Sequence, residues 1–203
     1  MKNIVVPQLR VGVFGWNSGF QESNLYPDDL PDEWRLTYIS NMVDVVVVPF
    51  DELMDADQDT VEGWEDDTHE NIGFYISLHH SQLLSDPGFL ENQVLKKIAL
   101  LHDRLVGILL YEDCEIPHDL FSNIPLFQMA DIATNDSLME SVISLRGGDG
   151  VALLHASQEL IPMEMRTLVE LLKKENLDTL IFIPGPGLSG NIENAETISS
   201  LLG

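Results

Sequence analysis

The sequence predicts an α/β protein with a mainly parallel sheet, and two observations carry that expectation. Apolar runs of strand length recur at residues 10–14, 43–48, 72–78, 105–111, 125–130, 142–145 and 179–183, and residues 151–154 offer a further one. Helical or loop stretches separate these runs. A parallel sheet needs that order, because parallel neighbours cannot be joined by a tight turn.

Taken in order, Arg10-Val11-Gly12-Val13-Phe14 opens the series, and Gly12 and Gly15 let neighbouring chain pack closely. Their spacing is too short for a dinucleotide-binding fingerprint, which also needs a helix directly after the strand. A helix over residues 32–42 opens behind Pro31 and leads into Val43-Asp44-Val45-Val46-Val47-Val48. Residues 51–70 bring a run of acids and are expected to form a solvated acidic surface, with the segment from Asp55 to Asp66 as an exposed loop. Further helices are predicted over 89–102, behind Pro87-Gly88, over 158–174, where apolar residues recur at helical spacing, and over 192–202. Several crossover helices are short or absent.

The chain has 203 residues, 44% of them hydrophobic and 22% charged, which suits one sizeable core and one domain over residues 1–203. No apolar run reaches the ~18 residues that span a bilayer, and Pro7 interrupts the N-terminal apolar stretch too early for a signal peptide. A soluble, cytoplasmic protein without a membrane partner is therefore expected. The single cysteine, Cys114, excludes an internal disulfide, and Asp113 and Glu115 beside it disfavour a reactive thiolate. Acids outnumber Lys and Arg by 34 to 10, a net charge of −24, which excludes nucleic acid as a natural partner. The imbalance is also local. No Lys or Arg occurs between Leu36 and Leu95, while Asp51, Glu52, Asp55, Asp57, Asp59 and Glu62 begin the acidic run.

The two ends of the chain carry a resemblance. Val11-Gly12-Val13-Phe14-Gly15-Trp16, Leu25-Tyr26-Pro27, Glu33-Trp34-Arg35-Leu36-Thr37-Tyr38 and Val43–Pro49 at the start are similar to the opening of the YecE-like family, a domain of unknown function. Ser141–Gly148 and Thr179–Ile183 through Asn191, Asn194 and Ala195 resemble that family's last two strand-loop units. The resemblance implies a TIM-barrel-like fold and, because the family has no settled reaction, no activity. A full barrel takes ~250 residues, so this one is expected to be incomplete or distorted and to lack at least one βα unit. On this alignment residues 125–131 match the family's sixth strand, and nothing matches its fifth strand and helix.

Working residues of such barrels sit where strands end. That rule selects Trp16, Asp51, His79, His80, Glu112, Asp113, Asp131, Arg146 and the loop at Gly185. Trp16, Tyr26 and Arg146 stand where the family has similar residues. Elsewhere the family's polar set is replaced: an acid by apolar residues within Val45–Val48, a strand lysine within Phe74–Leu78, a histidine by Gly147-Gly148 and an asparagine pair by Pro184-Gly185.

No metal site and no cofactor are predicted. Adjacent His79 and His80 would point to opposite faces of a strand, and no zinc-ligand spacing occurs. Asp55-Ala56-Asp57-Gln58-Asp59 has the opening of a calcium loop, but Thr60 stands at its turn glycine and Asp66 at its bidentate glutamate. The expected ligand-binding set is Trp16, Tyr26, Arg146, Gly147, Gly185, Gly187 and Gly190. Its logic is an arginine fork beside a glycine-rich loop that opens a helix, which would take a small anion. Three readings stay open: a small-anion-binding or non-catalytic protein, a hydrolase acting on a phosphorylated or sugar-like molecule, and an acidic protein-interaction subunit.

Overall fold

The computed structural model describes residues 9–79, 87–110, 121, 123–131, 142–146 and 150–202. Eight strands close into a barrel in chain order: β1 (Arg10–Phe14), β2 (Val45–Val48), β3 (Gly73–Leu78), β4 (Leu105–Leu110), β5 (Leu126–Asp131), β6 (Val142–Arg146), β7 (Val151–His155) and β8 (Thr179–Ile183). The ring closes where β1 pairs with β8, from Arg10 opposite Thr179 to Val13 opposite Phe182.

Seven strands run one way. The exception is β6, which pairs antiparallel with both β5 and β7. Arg146 and Val151 are separated by only residues 147–150, whereas a crossover back to a parallel neighbour takes about a dozen residues or more, so the chain reverses and forms a hairpin. Gly150 ends that connection at φ 83°, in the left-handed region that favours glycine. The barrel is therefore TIM-like but distorted, because the four-residue link from β6 to β7 leaves no room for a crossover helix. Residues 126–131 pair directly with β4 and fill the fifth position, and 151–155 close the ring against β8.

Strand alternation divides the core in two. Val45, Val47, Tyr75, Leu109, Phe127, Val151, Leu153 and Ile181 pack inside the barrel, with Tyr75 and Phe127 edge to face at 5.6 Å. Their neighbours Val46, Val48, Phe74, Ile76, Ile108, Leu110, Leu180 and Phe182 point outward beneath the helices. Both faces are thus buried, which is why these strands read as continuous apolar runs. Each such side chain contributes on the order of 1.5–3 kcal/mol of burial.

The helices are α1 (Arg35–Ser40), entered through a 3-10 turn at Asp32–Trp34, α2 (Phe50–Asp55), α3 (Gln58–Asp66), α4 (Leu95–Ala99), α5 (Pro162–Lys174) and α6 (Leu188–Leu202). A π-helical stretch at Leu90–Val94 precedes α4. The acidic segment expected as an exposed loop is mostly helix. Asp57 caps α3 by accepting the Thr60 amide at 2.9 Å, and Val61 and Trp64, three apart, bury its inner face. Among the described residues no helix is long and apolar enough to cross a membrane.

Candidate functional site

A cleft of about 1190 Å³ lies at the C-terminal ends of β1, β2 and β8. Its apolar wall comes from Phe14, Trp16, Leu36, Trp64 and Ile183. Trp16 is almost fully buried and meets Trp64 edge to face at 5.3 Å. The polar wall is acidic: Asp32 and Glu33 before α1, Asp51, Glu52 and Asp55 on α2, and Asp57, Asp59 and Asp67 on or beside α3. No lysine or arginine among the described residues lines it.

Local chain geometry places these groups. The end of β1 turns at Gly15, whose amide donates to the Val47 carbonyl at 2.8 Å, so Trp16 and Asn17 project beside β2 and its helix. The Asn17 side-chain amide donates to Glu52 Oε1 across the gap between that turn and α2. Burial raises the Glu52 pKa above the ordinary glutamate value, and the Asn17 hydrogen bond offsets part of the rise. Below the cleft, Lys97 of α4 donates from Nζ to the carbonyls of Leu53, Met54 and Ala56 at 3.0, 2.6 and 2.6 Å. An ammonium there ties down the exposed carbonyl end of α2 and fixes the acidic wall to the barrel.

The residues expected at the site are not all together. Trp16 lines the cleft. Tyr26 braces it instead, because its hydroxyl donates to the Trp16 carbonyl at 2.8 Å while its ring stacks on Phe20 at 5.1 Å. Burial pushes its pKa far upward, so the phenol stays neutral. Arg35, over the Tyr26 ring at 5.6 Å, pairs with Asp32 at 2.6 Å.

Arg146 stands apart from the glycine loop. Because β6 is antiparallel, its last residue lies at the end of the barrel where the other strands begin: Leu145 is opposite Val151, and Val151 opposite Thr179. The loop carrying Gly185 and Gly187 follows Ile183 at the other end, about a strand length away. Gly147 and the Arg146 side chain lie outside the described residues. The glycines serve packing. A side chain at Gly185 would strike the Ala156 carbonyl and one at Gly187 the Gln158 backbone, while the Gly187 amide already donates to Ala156 O at 2.9 Å. The Glu159 side chain lies against Gly190, where an anion would have sat. The expected convergence of Arg146 with Gly185, Gly187 and Gly190 does not form.

Of the candidate metal ligands, His79 directly follows β3, while His80, Glu112, Asp113 and the Asp131 side chain lie outside the described residues. The Asp55–Asp59 segment is a turn and helix cap. No group of three or more metal-ligating side chains gathers among the described residues.

Asn17 and Trp64 were not singled out from sequence, and Glu52 was noted only as one member of the acidic run. The apolar pair Val61 and Trp64 within a polar stretch was the available sign of α3.

The chain superposes on two solved barrels along nearly its whole length. A DUF72 family protein from Enterococcus faecalis matches with a TM-score of 0.61 at 12% identity, over 95% of this chain and 94% of that one. A DUF72 family protein from Thermotoga maritima matches with a TM-score of 0.54 at 15% identity, over 95% of this chain and 98% of that one. At such identity the likeness shows a shared fold. It agrees with the YecE-like resemblance of the two chain ends. No family model matches the chain, and no curated protein matches it by sequence.

Proposed function

We propose that this chain is a diverged, non-catalytic relative of the DUF72 proteins whose barrel mouth binds a small cationic ligand. One observation carries the reading: a cleft at the strand ends combines tryptophan walls with carboxylates from three directions, and no lysine or arginine among the described residues lines it. Such a field concentrates cations and repels phosphates, and indole faces add attraction for an ammonium group. Loss of the polar residues that the YecE-like family carries at its strand ends supports binding rather than turnover.

An alkyl diamine such as diaminobutane is the direct probe, measured by calorimetry against inorganic phosphate as the anionic control. Diamine binding that weakens with added salt and is lost in Trp16→Ala supports the reading. Phosphate binding with the diamine silent overturns it.

A second reading rests on Glu52, whose raised pKa suits a general acid. Under it the cleft would hydrolyse a neutral sugar-like molecule. Turnover of aryl glycosides, abolished in Glu52→Gln, would favour hydrolysis.

A further inference from the structure

We infer that Glu52, held by Asn17, is the specificity-determining carboxylate of the mouth and that it gives up a proton when a cationic group enters. The inference rests on the proposed cation-binding function and names how that site is regulated.

The geometry sets Glu52 apart from the other acids of the cleft. It reaches the cleft from the first turn of α2, half-buried against the turn that follows β1, and its hydrogen-bond partner there is the neutral amide of Asn17. Among the described residues, the charged groups that line the cleft with it are acids: Asp51 and Asp55 on its own helix, Asp32 and Glu33 before α1, and Asp57, Asp59 and Asp67 along the α3 wall. Among the described residues Tyr26, half-buried and neutral, stands behind the cleft, and the two nearby cations are engaged, Arg35 with Asp32 and the Tyr26 ring, and Lys97 with the carbonyls of Leu53, Met54 and Ala56.

An ionised Glu52 therefore carries a partly desolvated charge, and no lysine or arginine among the described residues of the cleft's lining balances it. A bound ammonium supplies that countercharge, favours the carboxylate and expels the proton to solvent. Linkage then requires binding to strengthen with pH, by up to about tenfold per pH unit per proton released, in a window above the usual glutamate range of about 4.5. Asn17 acts as the positioning residue: its amide favours the ionised form, so removing it moves the window to higher pH.

The test is calorimetric titration of the whole chain with diaminobutane, from pH about 4.5 to about 8, in pairs of buffers with different ionisation heats. Expected are proton release in the wild type, its loss in Glu52→Gln, and an upward-shifted window in Asn17→Ala, with melting curves showing that both variants fold. Diamine binding with no proton release, or with a pH profile unchanged in Glu52→Gln, overturns the inference and leaves the cation-binding function standing. No diamine binding at any pH overturns both. If Glu52→Gln fails to fold, an Asn17→Ala profile identical to the wild type overturns the role of the pair.

Discussion

Asn191 accepts the Leu160 backbone amide on Oδ1 at 2.7 Å and donates from Nδ2 to the Gln158 carbonyl at 2.9 Å, joining the first turn of α6 to the loop after β7. Asn194, one turn on, donates to the Leu160 carbonyl at 3.0 Å. Two asparagines that carry part of the family resemblance are thus the latch between the last two strand-loop units. Asn191 is fully buried, so Asn191→Ala strands the Leu160 amide away from water. The expected loss is about 2–4 kcal/mol in urea unfolding, with diamine affinity nearly unchanged in the folded fraction.

Gly12 makes a second, purely packing prediction. A Cβ there would lie 2.2 Å from Val45 Cγ2 and 2.8 Å from the Val45 carbonyl, inside the barrel wall. Backbone cannot yield as a flexible side chain would. Gly12→Ala should cost about 1–3 kcal/mol and lower the melting temperature, through overpacking rather than lost function.

The strands were legible because burial on both faces writes itself as unbroken apolar runs, as at Val45–Val48 and Thr179–Ile183. The direction of β6 was not, since nothing in Val142–Arg146 differs from a parallel strand; only the four-residue link to Val151 forces the reversal. That single reversal moved Arg146 to the wrong end of the barrel for an anion site. The acidic wall was hidden for another reason: charge dominates residues 51–70, and the burial of Val61 and Trp64 beneath it is a sparse signal.

Arg146→Ala should leave diamine affinity at the mouth unchanged, because its backbone lies at the opposite end of the barrel. A large drop in affinity would mean that the two ends are coupled, contrary to the register of β6.

The same opposite end gives a pH signature. Glu196 on α6 lies in a small cleft with Asp44 and His69, and Asp44 is already tied to the Val11 amide at 2.8 Å. Burial first, then Asp44, then Glu193, raise the Glu196 pKa above its ordinary value. The native state therefore holds this proton more tightly than the unfolded chain. That contribution to stability is fully present below the unfolded pKa and is lost as pH rises through the folded one. At about pH 7 the ionised Glu196 opposes folding. Glu196→Gln should accordingly be more stable than the wild type near neutrality, with the difference shrinking as the pH falls toward the ordinary glutamate range. Urea midpoints across that range measure it. A difference that stays constant, or grows on acidification, would show that Glu196 gains a favourable partner in its ionised form and that repulsion does not govern this end of the barrel.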